Sequence, residues 1–480
     1  MTQALRRPPV LAGVALTAFL TWGLVGPLAS VRLIVLALAI GVAAISAAAY
    51  LVWSVHPAYT LCGALALSVC AGNWPLLGLP GALAPDRILF VLGVGAVLLK
   101  APPIRDRPPL RWGAAAWAMA AVLLWALGSA QVSGAIFDRG EMFEILERLG
   151  IVPFALFLVA PAAFAAEYHR RVLLGTLVGL GAYLGFTAAM ESANAEALVF
   201  PRFINDPAVG IHADRARGPF LEAVTNGAGL YAGAIGAAIG LTVWRERWQR
   251  AGLLATLALC AAGVLFTETR SVWLGATIAT VGTLLLVREI RRWLIPGIVA
   301  AVAILALSFA LLPGLQEAVT ARKNQQGTVY DRKNLSRAAI NIVEAKPLIG
   351  IGWGRFTRDS ADYFEQSPDF PLTASQQVIH NVFLTYAVEM GLIGLVLWVL
   401  TVLVGIGSAL MLRVGPQLAP WQIGLAAYTI FFLVISNFVF AQVFPNDMLW
   451  LLAGVVMAGG IRSSERAPVS TRELVPAGAP

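Results

Sequence analysis

Charge is scarce in this sequence. Only 12% of its 480 residues are Asp, Glu, Lys or Arg, whereas 59% are hydrophobic and the mean hydropathy is +0.77. Soluble domains carry about 25% charged residues. The shortfall, with repeated apolar runs close to the ~20 residues that cross a bilayer, makes the chain an all-α polytopic membrane protein. Period-two segments of about ten residues, the mark of a membrane barrel, are missing. Cysteine is also scarce. Cys62 and Cys70 share one apolar run and Cys260 lies in another, which argues against a disulfide framework. There are four histidines, His56, His169, His212 and His380, with no H-x-x-x-H, cysteine pair or D-x-D motif on the expected outer face. A zinc or magnesium site is therefore not expected.

The net charge of +8 does not point to nucleic acid, because the basic residues sit mostly in short loops between apolar runs. That is the pattern of topology signals and headgroup contact with the lipid bilayer. About 12–14 transmembrane helices are expected, near 9–27, 31–54, 58–72, 86–102, 112–130, 150–166, 171–190, 222–244, 250–267, 271–288, 293–313, 381–412, 419–439 and 445–461. The first is read as an uncleaved span, since no small-residue cleavage site comes after Arg6 and Arg7. Placing the N-terminus inside puts most Lys and Arg of the short loops inside, which predicts two cytoplasmic termini. The chain then divides into an N-terminal transmembrane bundle (1–313), a long outward loop (314–380), C-terminal transmembrane helices (381–462) and a polar, disordered tail (463–480).

The long loop has a pattern of its own. In "YDRKNLSRAAINIVEAKP", Leu335, Ala339 and Ile342 recur at helical spacing and Pro347 ends the run. "GIGWG" comes next, with Gly350 and Gly352. A phosphate-binding loop needs a preceding strand and a following helix. A tight turn that lets the backbone approach a neighbour suits this context better. "DYFEQSPDFPLTASQQ" reads as irregular polar chain. Upstream, "GLYAGAIGAAIG" carries Gly229/Gly233 and Gly236/Gly240, the spacing of close helix packing.

Arginines near outward helix ends are the candidate binding residues. Arg270 stands in the tight turn "FTETRSVWLG", Arg217 in "RARGPFLEAVTNGAG", and Arg332 at the start of the loop helix. Each taken alone reads as a snorkelling or solvated side chain. Together they suit a shared anionic ligand, because guanidinium pairs with phosphate in a bidentate way. His380 opens the apolar run "HNVFLTYAVEMGLIG"; it is either an interfacial residue or a base. In a continuous helix Glu389 would lie half a turn away and about 13 Å deeper, so the two do not form an acid–base pair. A buried bundle contact is the favoured role for Glu389.

The stretch "HNVFLTYAVEMGLIGLVLWVL" resembles the signature of the O-antigen ligase/polymerase family: His-Asn, then Glu-x-Gly-x-x-Gly on an apolar helix. "AKPLIGIGWGRF", "TETRSVWLG" and "RARGPF" resemble other family segments and stand in family order. The resemblance covers about 210–400. It implies a GT-C-like glycosyltransferase on the outer face of the bacterial cytoplasmic membrane. The enzyme would need no metal and no cofactor. It would move a glycan from an undecaprenyl-diphosphate-linked donor to a glycan, lipid or protein acceptor. By position, Arg217, Arg270 and Arg332 would bind the diphosphate and His380 would activate or orient the acceptor hydroxyl. Asn381, Glu389, Gly391, Gly394, Gly350 and Gly352 would support the site. Pro219 departs from a plain Arg-Gly-Phe, which leaves Arg215 as an alternative to Arg217. A polymerase of lipid-linked repeats fits the same motifs. A transporter or flippase would predict ionisable residues or broken helices at the midplane and an inverted repeat; the sequence shows no such repeat, and its charges gather at the outer ends instead.

Overall fold

The computed structural model describes residues 29–99, 113–311, 327–364, 378–439 and 442–465. It is helical, with no strand among the described residues. The helices are α1 (Ala29–Ser54), α2 (Pro57–Leu67), α3 (Pro85–Leu98), α4 (Ala114–Ser133), α5 (Ile151–Ala163), α6 (Glu167–Ser192), α7 (Ala223–Val243), α8 (Arg247–Phe266), α9 (Arg270–Leu286), α10 (Leu294–Leu311), α11 (Gly327–Ala345), α12 (Val382–Met411), α13 (Ala419–Ile435) and α14 (Val443–Glu465). Six helical stretches among the described residues are long and apolar enough to cross a membrane. The expected span at 9–27 and most of the polar segment 362–377 lie outside the described residues.

Two sequence boundaries need correction. The chain between the fifth and sixth expected spans is not a plain loop, because Arg139–Leu149 is helical and continues into α5. Asp138 starts it by accepting the Gly140 amide at 2.8 Å. The tail expected from residue 463 is still helical to Glu465, and residues 466–480 lie outside the described residues.

Helix α7 is the trunk. Its most apolar window is 83% buried, far above that of other long helices. Glycine permits this burial. A Cβ on Gly233 would lie 2.3 Å from the Gly181 Cα, and one on Gly236 would lie 2.8 Å from the Leu177 Cβ. The repeated glycines are thus a close-packing device against α6. Glu222 caps α7 by accepting the amides of Val224 and Thr225 at 3.1 and 2.6 Å. Burial raises the pKa of this carboxyl, and the hydrogen bonds from Thr225 oppose the rise.

Helix α12 is broken at Gly391, where φ is 69° and ψ is 179°. An unbroken helix would hold the carbonyls of Val388, Glu389 and Met390 with amides four residues on. Here each carbonyl has another donor. The Ile351 amide donates to Val388 O at 2.9 Å, the Ser129 hydroxyl to Glu389 O at 2.9 Å, and the Trp125 indole to Met390 O at 2.9 Å. The freed amides are also met: Leu392 donates to Pro347 O at 2.7 Å and Ile393 to Leu348 O at 3.4 Å. The "PLIGIGWG" turn therefore docks into the break, as a tight turn making close backbone approach. Non-helical backbone at membrane depth is tolerated only where protein satisfies it.

The fit excludes side chains on both sides. A Cβ on Gly350 would fall 2.1 Å from Val388 O, and one on Gly391 would fall 2.1 Å from Leu348 O; both residues have positive φ. Gly352, at φ 101°, lies against Ser133 in the same way. Gly394 sits under Trp125. Gly391→Ala is expected to lower stability by about 2 kcal/mol or more, from the left-handed backbone and the displaced turn. Gly407→Ala in the same helix, with open space around it, should change little. Thermal unfolding of the purified variants in detergent checks both; equal melting temperatures would remove the docking constraint.

Candidate functional site

The site is assembled from three elements that meet at one end of the bundle. The first is the α8–α9 turn. Trp273 pins it by donating its indole N–H to Val264 O and Leu265 O at 2.9 and 3.2 Å. This leaves Arg270 at the first position of α9, exposed at the helix end. The second element is α11. Its apolar stripe is buried as the spacing predicts: Leu335, Ala339 and Ile342 are all at most 1% exposed and pack on Phe356, Ile379 and Val388. The opposite stripe carries Lys333 and Arg337, and Arg332 stands one turn before Leu335 near the start of the helix; all three are exposed. The third element is the entry to α12. Asn381 caps this helix by accepting the Leu384 amide at 3.0 Å, and the Val382 amide donates to Ser436 O at 2.9 Å.

These elements enclose a cavity of ≈ 920 Å³ lined by Arg270, Arg332, His380 and Asn381, together with Lys333 and Arg337. His380 precedes α12, so the expected continuous helix through 380–389 does not form; the helix starts at Val382 behind its Asn381 cap. His380 and Glu389 line different cavities. Glu389 is buried and faces a small chamber with Tyr386 and Trp353.

Arg217 is placed elsewhere. It is 1% exposed, and its guanidinium donates to three carbonyls, Val209 O at 2.6 Å, Ile204 O at 2.8 Å and Asp206 O at 2.6 Å. It braces the 204–217 loop. The neighbouring Ala216 amide ties this loop to Phe266 O at 3.1 Å, below the turn that carries Arg270. Arg215 lies beside Asp214 and is not a wall of the large cavity. Among the described residues, no group of three or more His, Cys, Asp or Glu is placed to hold a metal ion.

Lys333, Arg337 and Asn437 also face the large cavity and escape the sequence reading. The first two had a signal. They stand four apart on the polar side of a helix whose apolar side is obvious. Asn437 lies just past the end of α13 and had none.

The cavity is predominantly basic, with Arg270, Arg332, Lys333 and Arg337 in its wall against one carboxylate, Glu344. Burial lowers the His380 pKa below the ordinary histidine value, and the nearby Arg332 charge lowers it further. Although the Arg332 side chain opens to the cavity, the surrounding wall partly desolvates it and lowers its pKa, with Arg270 adding repulsion. Two guanidinium groups that repel one another across a cavity are poised for an anion, whose charge would relieve both. The imidazole stays neutral at pH 7 and retains a lone pair that can accept a proton.

Residues 254–399 match the family model described as O-antigen ligase. The match spans the α8–α9 turn, α11 and the first part of α12, and so contains Arg270, Arg332, His380, Gly391 and Gly394; Arg217 lies before it. No curated protein matches the chain.

The electrostatics give a pH test. The His380 imidazole should react with diethyl pyrocarbonate, a reagent for the neutral form, down to a pH below about 6.5. Arg332→Gln removes a repelling charge, so the midpoint should move to higher pH, whereas Arg332→Lys should keep it low. Mass spectrometry of the His380 peptide across pH reads the midpoint. An unchanged midpoint in Arg332→Gln would show that the guanidinium does not act on His380.

Proposed function

We propose, on the assignment of this chain to the O-antigen ligase/polymerase family that the match over residues 254–399 supports, that it transfers a glycan from an undecaprenyl-diphosphate donor to an acceptor hydroxyl on the outer face of the bacterial cytoplasmic membrane. The observation that carries this reading is the joining of Arg270, Arg332 and a depressed-pKa histidine around one large cavity. Both termini would be cytoplasmic, as the distribution of Lys and Arg favours.

The chemistry is set by the groups present. The diphosphate is already a leaving group, so the protein must stabilise departing charge and position the acceptor. Arg270 and Arg332 would neutralise the diphosphate oxygens, with Lys333 and Arg337 adding charge at the rim. His380 Nε2 or Nδ1 would take the proton of the acceptor hydroxyl as its oxygen bonds to the anomeric carbon. The bond from that carbon to the phosphate oxygen breaks in the same displacement, and undecaprenyl diphosphate departs with the electron pair. Asn381 would set the direction of His380 by fixing the start of α12. Arg217 would contribute by bracing the loop under the Arg270 turn. Glu389, Gly391, Gly394, Gly350 and Gly352 would hold the helix and turn that present His380. The bundle, the long loop and the C-terminal helices would act as one body, because α12 packs on both α4 and α11, and α14 packs on α5.

His380→Ala is expected to abolish transfer while the protein still inserts. Wild-type product levels in cells carrying that variant would remove His380 from the chemistry. Arg270→Lys should lower kcat/KM by at least about tenfold, the loss of one forked charge-assisted contact of about 1.5–3 kcal/mol. Purified protein, supplied with a lipid-linked glycan and an acceptor, checks this. The product pattern also separates two activities: one-step transfer is that of a ligase, and a ladder of lengths is that of a polymerase.

A further inference from the structure

A second cavity system lies on the other side of the segment that carries His380. The chain changes sides along it: Val378 and Ile379 line the second system, and the next two residues, His380 and Asn381, line the basic cavity. The second system is a chamber of ≈ 100 Å³ at Trp353, Tyr386 and Glu389, and a cavity of ≈ 520 Å³ that shares its Glu141, Glu144 and Arg148 walls. Its charge is opposite to that of the basic cavity. The larger cavity alone presents Asp86, Glu141, Glu144, Glu147, Glu222 and Asp447 against Arg87 and Arg148.

Several of these carboxylates have structural partners. Glu147 pairs with Arg87 at 2.7 Å, Glu144 pairs with Arg148, Asp86 accepts the Trp74 indole at 2.6 Å, and Glu222 caps α7. Others do not. Glu141 and Asp447 make no ion pair among the described residues, and Asp447 Oδ1 is buried without a hydrogen bond. The unmet groups are not only acceptors. Trp353 is 2% exposed and forms part of the chamber wall, yet its indole N–H has no acceptor. The Gln442 Nε2 amide, in the wall of the larger cavity, also lacks one.

This mixture selects the ligand. A cation would satisfy the carboxylates and leave both N–H donors empty. An anion would meet the donors and be repelled by the carboxylates. A hydroxyl both donates and accepts, so a polyhydroxylated molecule meets the whole set. The Trp353 and Tyr386 rings, stacked with centroids 6.3 Å apart, supply apolar faces for sugar C–H groups. We propose that this acidic, aromatic-walled system is a saccharide-binding site, distinct from the basic cavity, that holds a glycan segment of the donor or of the acceptor while the diphosphate lies across the 378–381 segment. The assignment rests on the glycan-transfer reading for the identity of its ligand.

Trp353→Phe is the informative variant, since it keeps an aromatic face beside Tyr386 and removes the unmet N–H together with the rest of the indole. Loss of an unsatisfied buried donor does not by itself weaken the empty protein, but the smaller ring leaves a void, so the melting temperature should fall modestly while the fold is kept. With purified full-length protein, KM for one glycan substrate should rise about five- to tenfold, the worth of one hydrogen bond, with kcat within about twofold. A rise in the donor KM places the donor glycan in the chamber, and a rise in the acceptor KM places the acceptor there. Unchanged KM for both overturns the proposal, as does rescue of an Asp447→Asn defect by magnesium or spermidine, which would mark a cation site.

A binding arm is independent of transfer. Glycan released by mild acid from the same cells' lipid-linked pool, tritium-labelled, is measured by equilibrium dialysis against wild type, Trp353→Phe and Arg270→Lys. Binding that weakens in Trp353→Phe and survives Arg270→Lys supports the site even if no transfer is seen, which would then count against the proposed reaction alone. No binding to wild type, or equal binding to all three proteins, overturns it.

Discussion

The docking of the "PLIGIGWG" turn into the broken α12 is the constraint on which the rest of the site depends. Three helix carbonyls and two helix amides lose their ordinary partners at Gly391, and Ile351, Ser129, Trp125, Pro347 and Leu348 replace them. Leaving such groups unmet would cost several kcal/mol each in an apolar setting. The same contacts fix two other things. They seat α4 against α12, and they place Trp353 beside Tyr386, because the Trp353 amide and carbonyl are held by Ser129 and Ser133 at 3.0 and 2.9 Å. A single backbone irregularity therefore locates the loop, helix α4 and the chamber wall relative to one another.

Charge is divided as sharply as backbone. The basic groups gather where α9, α11 and the start of α12 meet, and the acidic groups gather between α3, the Arg139–Leu149 helix, α7 and α14. Only a short extended segment separates the two. That layout suits a substrate whose parts differ in charge, with a diphosphate on one side and neutral sugar on the other. It also explains a neutral histidine at the boundary. A charged imidazole beside Arg332 would face both desolvation and like charge.

Much of the frame was legible in the sequence, and the limits were physical. The apolar runs and the α11 stripe were readable because burial imposes period on a helix. The Gly229–Gly240 series was readable because close packing admits only small residues. Arg270 and Arg332 were recognisable as helix-end arginines, and the structure sets them beside His380. Arg217 looked the same in sequence, yet its guanidinium is turned to three carbonyls, because sequence does not show where a loop folds back. The α12 break was hidden as well. Glycine in an apolar helix usually marks packing, and only the incoming turn makes φ at Gly391 positive. The acidic system was invisible because its members come from segments far apart in the chain and meet only after folding.

The break also divides α12 by length. Its 30 residues would span about 45 Å as one rod, well beyond a hydrocarbon core of about 30 Å. The portion after Gly391 is about 20 residues, which by itself matches that thickness. The portion before it is then surplus to crossing the bilayer, a pedestal about 13 Å tall. On the proposed outer-face reading, it would lift the Asn381 cap and His380 clear of the hydrocarbon, into the zone where a water-soluble glycan and a lipid-borne headgroup could both arrive.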